Sequence, residues 1–279
     1  MRALLPPRRI SSPLDVDALC HQPDRINRLL EPLLNLAGKS DYLVGGSAGE
    51  FTANKKVFQI PRFIFMGPAG GGDTMRLGIF AAFHGDEPDG AVALVEFLQE
   101  LERAPQIARG YHIYAYPVCN PAGFIARTRH NLSGEDLTAH FWRGSSQPEI
   151  YYLEREMGVL RFQGVLSLQT RKDANGFNVT TRSVVLNRAL AGPAIQAADE
   201  AGSEGEQKAI LKAGTLHATP DTRSPNFLTA TDELDPAPFE LHLEIPGQVS
   251  NSHKINGTIG ALKSILDSYR SLMSIGQNL

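Results

Sequence analysis

Apolar residues recur along the chain at two spacings, one typical of amphipathic helices and one typical of buried strands. Helical spacing covers residues 14–36, 88–104, 148–162 and 183–200, a shorter stretch at 205–212, and the C-terminal positions from Ile259 to Leu272. Continuous or alternating apolar runs predict strands at 57–66, 75–82, 111–117, 164–170 and 239–245. Because strands and helices alternate, the pattern predicts an α/β fold with a mixed, mostly parallel, twisted sheet flanked by helices.

The same pattern predicts a single main domain with a short N-terminal addition. Residues 1–40 are expected to form a helical extension packed on a domain at 41–279, within which no stretch has the composition of a linker. Pro61 has no N–H group to donate and indicates an edge strand or a bulge. The glycine-rich run at 67–73 lacks the Gly-Lys-Ser/Thr ending of a phosphate-binding loop, so we expect a hairpin connection there.

Composition and charge narrow the range of partners. The chain has 279 residues, 42% of them hydrophobic, and a formal net charge of -3. That balance argues against nucleic acid or an anionic membrane as a partner, and no apolar run approaches the ~18 residues of a membrane span. The N-terminal stretch lacks the apolar core of a signal peptide. Cys20 and Cys119 make no disulfide framework, although a single bridge between them stays open. We therefore expect a cytoplasmic protein, and the pattern does not indicate an oligomeric state.

The polar residues best suited to chemistry follow the predicted strands. His84 and Glu87 lie in the turn after the strand at 75–82, and imidazole nitrogen and carboxylate oxygen both suit zinc. Gln169 and Glu244 lie at the ends of two later strands. Active sites of open α/β sheets form beyond the carboxyl ends of strands, so these side chains are expected to converge. Glu87, at the start of a predicted helix, also suits a helix cap.

Five segments match, in order, the motifs of one enzyme family. The first is His84-Gly85-Asp86-Glu87, which is similar to a His-x-x-Glu metal pair, and the second is Asn120-Pro121-Ala122-Gly123-Phe124, which is similar to an Asn-Pro-Asp/Ala-Gly turn. The third is Arg127-Thr128-Arg129-His130-Asn131, where the family carries arginines, and the fourth is the run from Gly134 to Phe141, which is similar to Gly-x-Asp-Leu-Asn-Arg-x-Phe. The fifth is Leu243-Glu244-Ile245-Pro246, which is similar to the strand with the catalytic glutamate. Over about residues 75–270 the chain thus resembles the zinc carboxypeptidases and the related succinylglutamate desuccinylase and aspartoacylase group. The resemblance implies a zinc-carboxypeptidase-like fold.

The resemblance also implies a role for each matched acid and base. His84 and Glu87 would bind one zinc ion, Asp136 would orient the imidazole through its other ring nitrogen, and Glu244 would be the general base. Glu244 is well placed for this only if its face of the strand lines a cleft. On a solvated face it would be an ordinary surface residue.

Substrate contacts follow from the same comparison. Arg129 is expected to face the scissile carbonyl and stabilise the oxyanion. Arg127, Asn131 and Thr138 occupy positions that the resemblance assigns to substrate binding. The alternative for both arginines is plain surface charge.

The chain departs from the family pattern at three places. One is that no tyrosine lies between Tyr152 and Tyr269, so the substrate-capping tyrosine of the digestive enzymes has no counterpart. Gln169 stands where the family has a histidine as third zinc ligand, and an amide oxygen is a poor zinc ligand compared with imidazole. Gln169 is then either a weak third donor or a residue that holds water, and His217 would replace it only if residues 201–230 fold back over the site. Thr138-Ala139 stand in place of the Asn-Arg pair that grips a terminal carboxylate in the carboxypeptidases.

These features predict a carboxypeptidase-like, metal-dependent hydrolase of amide bonds with one weakly bound zinc ion. The expected substrate is a peptide or an N-acyl amino acid, cleaved by a metal-activated water with Glu244 as base. Two alternatives remain. One is an N-acyl amino acid deacylase of the desuccinylase and aspartoacylase type, and the other is a catalytically degenerate relative that binds a ligand without turnover.

Overall fold

A computed structural model describes residues 24–181, 186–203, 228–229 and 234–276 of the chain. The strands are β1 (Leu43–Ala53), β2 (Lys56–Met66), β3 (Met75–Ala81), β4 (Tyr111–Tyr116), β5 (Gly164–Arg171), β6 (Asn178–Thr181) and β7 (Phe239–Pro246). The helices are α1 (Arg25–Ala37), α2 (Asp89–Arg103), α3 (Pro121–Ala126), α4 (Pro148–Leu160), α5 (Gly192–Gly202) and α6 (Asn251–Gly276). Short 3-10 turns occupy Pro105–Ala108 and Leu137–Ala139, and a π-helical turn occupies Asn187–Ala191.

The seven strands form one mixed sheet in the order β1-β2-β4-β3-β5-β7-β6. The four central strands β4, β3, β5 and β7 pair in parallel, while β2 runs against β4, β1 against β2 and β6 against β7. Strands β1, β3, β4, β5 and β7 therefore point the same way. This confirms the predicted α/β class with a mixed, mostly parallel sheet, and it brings the carboxyl ends of the four central strands to one edge.

Both faces of the sheet are covered, because side chains alternate between two apolar clusters. Leu77, Leu166 and Leu241 belong to the cluster that the sheet shares with α1, α2, α5 and α6. Phe80 and Val165 belong to the cluster on the opposite face, shared with α4. Strands buried on both faces need near-continuous apolar runs, which is why these strands were predicted from sequence.

Two details of the sheet bear on the sequence predictions. Pro61 lies opposite Ser47, where the register of β1 shifts before Gly49, so the predicted bulge is confirmed. The hairpin prediction for residues 67–73 is wrong. That loop joins β2 to β3, and β4 lies between these two strands, so the loop spans a strand instead of connecting neighbours.

Helix α1 packs its leucines against the main body of the protein. Leu29 and Leu33 are fully buried, and Arg25 is 2% exposed. The Arg25 guanidinium lies over the ring of Phe124 and donates from Nη1 to the Phe124 carbonyl oxygen at 2.7 Å. The proposed domain boundary at residue 40 stays a prediction. The helical predictions at 14–23 and 205–212 lie outside the described residues.

None of the described helices combines the length and the hydropathy needed to cross a bilayer.

Candidate active site

The loop after β3 carries His84 and is fixed by the turn that begins α3. Asn120 accepts from the Gly123 N–H at 2.9 Å and donates from Nδ2 to the Phe83 carbonyl oxygen at 3.0 Å. Gly85 packs so closely on this turn that a Cβ would lie 1.9 Å from the Gly123 carbonyl carbon. Only glycine fits there, so the contact sets the path of the chain between His84 and the following helix.

His84 is held between two carboxylates. Its side chain is 3% exposed, with Nδ1 3.2 Å from Glu87 Oε2 and Nε2 3.2 Å from Asp136 Oδ1. Nε2 makes a hydrogen bond to Asp136, whereas the buried Nδ1 has no hydrogen-bond partner among the described residues. Glu87 Oε2 accepts from the Thr170 N–H at 3.1 Å, which ties it to the end of β5. Nδ1 and the Glu87 carboxylate therefore lie next to each other, and once Nδ1 has lost its proton both are donors of the kind that zinc accepts.

Asp136 is the centre of a hydrogen-bond network that orients His84. Oδ1 also accepts from the Thr138 N–H at 3.1 Å and the Thr138 hydroxyl at 2.8 Å, and Oδ2 accepts from Arg129 Nε at 3.2 Å and Nη2 at 3.1 Å. The His84 hydrogen bond, helped by Thr138 and Arg129, holds the pKa of Asp136 far below its usual range although burial opposes this. Burial lowers the pKa of His84, but Asp136 and Glu87 outweigh it and raise that pKa to about 9.

The two candidate arginines lie in different surroundings. Arg129 Nη1 is 3.4 Å from Glu87 Oε1, so its guanidinium bridges Glu87 and Asp136 while the side chain stays 48% exposed. Arg127 is exposed and ends α3 in a left-handed conformation, with φ 59°. The structure thus places Arg129 at the acidic cluster, whereas Arg127 is an exposed residue at the end of α3.

Gln169 and Glu244 lie side by side at the same edge of the sheet. They are partners in the parallel register of β5 and β7, and the next residue of β5, Thr170, contacts Glu87. The Glu244 side chain is 19% exposed, and its Oε2 accepts from Asn178 Nδ2 at 2.9 Å and Arg171 Nη1 at 3.2 Å. The Thr170 N–H that donates to Glu87 belongs to β5, and Glu244 lies on β7, the neighbouring strand. Its face of β7 is largely covered, not solvated.

Two residues predicted to bind substrate, Asn131 and Thr138, have hydrogen-bond partners within the loop. Asn131 Oδ1 accepts from the N–H groups of Ser133 and Glu135 at 3.0 and 3.1 Å, and Nδ2 donates to Gln147 Oε1 at 2.7 Å. The Thr138 hydroxyl donates to Asp136. Both side chains shape the loop that carries Asp136.

The donor set suits a metal ion only in part. Nδ1 of His84 and the Glu87 carboxylate fit zinc, because a buried imidazole nitrogen without a partner faces a carboxylate. No group of three His, Cys, Asp or Glu side chains is placed to hold a metal within the part of the chain that the structure describes. A third protein donor from this part would be the Gln169 amide, whose Nε2 is buried without a hydrogen-bond partner among described residues. His217 lies outside the described residues.

Two contributors to the site were not predicted from sequence. Thr170 contributes its backbone N–H, which no side-chain pattern reveals. His242 lies on the Glu244 face of β7, 2% exposed, with Nε2 4.0 Å from Glu244 Oε1. The alternation along β7 placed His242 on that face, but only the structure shows the face to be buried.

Comparisons with known proteins identify the fold. No family model and no curated protein matches the chain. Among solved structures, a candidate metallopeptidase from Shewanella denitrificans is 19% identical, with a TM-score of 0.60 over 90% of this chain and 89% of its own. A metallo-carboxypeptidase from Pseudomonas aeruginosa, in complex with (2-guanidinoethylmercapto)succinic acid, is 17% identical, with a TM-score of 0.61 over 90% of this chain and 68% of its own.

A mammalian structure gives the same result. Bovine thrombin-activatable fibrinolysis inhibitor, in complex with tick carboxypeptidase inhibitor, is 14% identical, with a TM-score of 0.60 over 93% of this chain and 98% of its own. At these identities the similarity shows the fold, which is that of the zinc carboxypeptidases. Activity has to be argued from the site itself.

Proposed function

We propose that the protein is a carboxypeptidase-like, metal-dependent hydrolase of amide bonds, with zinc held by His84, Glu87 and Gln169. The observation that carries this proposal is the buried His84 Nδ1, which has no hydrogen-bond partner among the described residues and lies 3.2 Å from Glu87, while Asp136 is hydrogen-bonded to the opposite nitrogen. A ligating histidine typically donates its other N–H to a carboxylate in this manner. The carboxypeptidase-like fold supports the same reading.

The proposed chemistry divides between the metal and two side chains, Glu244 and Arg129. A bound zinc ion would lower the pKa of a water molecule and polarise the scissile carbonyl. Glu244 takes the proton from the water and delivers it to the leaving amine. Asn178 and Arg171 occupy Oε2 of Glu244, which leaves Oε1 as the oxygen that takes the proton. Arg129, held beside Glu87 and half exposed, stabilises the negative charge on the carbonyl oxygen.

The substrate in this proposal is a peptide or an N-acyl amino acid. The Thr138 hydroxyl donates to Asp136 and Ala139 has no polar side chain, so positions 138 and 139 do not supply a bidentate clamp for a terminal carboxylate. This favours a second candidate, a deacylase of the desuccinylase and aspartoacylase type, which cleaves a small amidated metabolite. Arg127, which is exposed, is the remaining predicted substrate contact.

A catalytically degenerate relative is the third candidate. It is favoured by the amide at Gln169 and by the lack of a third His, Cys, Asp or Glu donor among the residues the structure covers. Such a site would hold zinc weakly, because each missing ligand reduces affinity. Elemental analysis of protein purified without chelators separates the candidates, since about one zinc per chain is expected for a hydrolase.

Exchange of the proposed base tests the mechanism directly. Glu244→Gln removes the proton acceptor and keeps the shape, so turnover of an amide substrate should fall roughly 10²–10⁴-fold. The matched control is Glu31→Gln, which changes an exposed carboxylate on α1 and should leave turnover unchanged. Circular dichroism and zinc content should be the same in both variants. Undiminished turnover by Glu244→Gln would dismiss the proposed mechanism.

A further inference from the structure

His242 lies one step below Glu244 on the same face of β7 and is enclosed by protein. Its Nδ1 is 2.8 Å from the hydroxyl oxygen of Ser167, its register partner on β5. Ser167 is 0% exposed and His242 is 2% exposed. The other ring nitrogen, Nε2, is 4.0 Å from Glu244 Oε1. The imidazole is therefore hydrogen-bonded to a buried hydroxyl on one side and lies 4.0 Å from the oxygen that the proposed reaction uses on the other.

The chemistry of the two neighbours decides where the ring proton lies. An ionised carboxylate only accepts hydrogen bonds, so the nitrogen that faces Glu244 should carry the proton. Nδ1 is then an acceptor, and the Ser167 hydroxyl, which can donate or accept, donates to it. The arrangement of Ser167, His242 and Glu244 is thus consistent with one tautomer.

Three charged side chains, Glu244, Glu87 and His84, influence the pKa of His242. Burial lowers this pKa to about 4, and the charge of His84 acts in the same direction, whereas the Glu244 and Glu87 carboxylates act to raise it. On the remaining side β6 pairs Thr180 with His242. The imidazole is neutral at neutral pH and serves as a directional donor next to the base, not as a second charge.

We propose that Ser167 and His242 position Glu244 for its role as general base. Ser167 Oγ–H donates to Nδ1 of His242, and Nε2–H is aimed at Glu244 Oε1, while a second lone pair of that oxygen accepts the proton of the water. No proton passes through the imidazole. A shift of about 1 Å closes the 4.0 Å gap to hydrogen-bonding distance, as commonly occurs when substrate binds. The inference rests on the proposed function of Glu244.

Two amide substitutions test the role of each ring nitrogen. The Gln side-chain nitrogen falls where Nε2 of histidine lies, whereas the Asn side-chain nitrogen falls where Nδ1 lies. His242→Gln therefore keeps a donor towards Glu244, and His242→Asn keeps only the contact with Ser167. We expect kcat to fall roughly 10-fold further in His242→Asn than in His242→Gln, with KM and zinc content alike. Equal kcat values in the two variants would overturn the proposal, because a merely structural role does not distinguish them.

The tautomer is measured without any turnover. Long-range ¹H–¹⁵N spectra of the wild-type chain with ¹⁵N-labelled histidine report which ring nitrogen carries the proton, and His242→Gln assigns the signal. We expect the proton on Nε2 in the wild type and a mixture of tautomers in Glu244→Leu, where Ser167 alone sets the preference. A proton on Nδ1 in the wild type would refute the proposed positioning of Glu244 by His242. A wild-type protein that hydrolyses no amide would count against the proposed function, and the spectra would still show whether His242 presents a donor to Glu244.

Discussion

Gln169→His supplies the imidazole donor that the proposed zinc site lacks. Position 169 lies near the end of β5, beside Glu244 on β7. It directly precedes Thr170, whose N–H donates to Glu87. Because Gln169 Nε2 is buried without a hydrogen-bond partner in the described region, the exchange breaks no hydrogen bond of that atom. An imidazole at this position should complete a three-ligand site with His84 and Glu87.

The expected gain in zinc affinity follows from the energetics of zinc binding. Four protein ligands together bind structural zinc with about 10–16 kcal/mol near neutral pH, or about 2.5–4 kcal/mol for each donor. Exchange of a weak amide donor for imidazole should recover most of one such increment. Zinc should therefore bind roughly 10²–10³-fold more tightly to Gln169→His than to the wild type.

Competition with a chromophoric chelator at fixed pH measures the two dissociation constants. Gln169→Ala serves as the matched control, because it removes the amide and should weaken zinc binding further. Equal affinities for Gln169→His, Gln169→Ala and wild type would show that the side chain at 169 does not reach the ion. In that case the proposed ligand set is wrong, whatever the activity of the protein.

Two further substitutions test the supports of the same site. Asp136→Asn weakens the acceptor that orients His84 and should reduce zinc affinity roughly 10–100-fold by the same assay, whereas Glu135→Gln, next to it but bonded to a different histidine, should not. Arg25→Met leaves the buried Phe124 carbonyl oxygen without its 2.7 Å donor and should lower the free energy of unfolding by about 2 kcal/mol in urea titrations. An unaltered unfolding midpoint would contradict that reading of Arg25.

The central strands and the helices that flank them were predictable because both faces of the sheet are buried. Apolar runs such as 164–170 follow directly from that burial. Strand β1 was not predicted, since most of its side chains are not buried and glycines interrupt its pattern. The hairpin error at 67–73 has a different cause. Local sequence describes a turn well, but whether two strands are neighbours depends on where β4 inserts.

The sequence predicts which positions lie at the candidate site, but it predicts few of the contacts that their side chains make. Strand ends placed Gln169 and Glu244 at one edge, and the register of β5 and β7 bears that out. Asn131 and Thr138 have side chains that suit substrate binding and loop bonding equally well, and only coordinates show which partners they have. His242 gave no chemical signal of its own, because a histidine in an alternating strand is as common on a surface as beneath a site.

The contacts of Glu87 explain how an unusual residue at position 169 is compatible with an ordered site. Glu87 Oε2 is held at 3.1 Å by the backbone N–H of Thr170, and the Thr170 hydroxyl donates to Asp89 at the start of α2 at 3.0 Å. A backbone donor is present whatever side chain precedes it. The geometry of His84 is likewise set by Asp136 and not by position 169. The residue at 169 can therefore differ without displacing His84 or Glu87, so in the proposed site it would change how tightly the metal is bound and not where these two ligands lie. For that reason affinity measurements, more than structural ones, test the proposed role of Gln169.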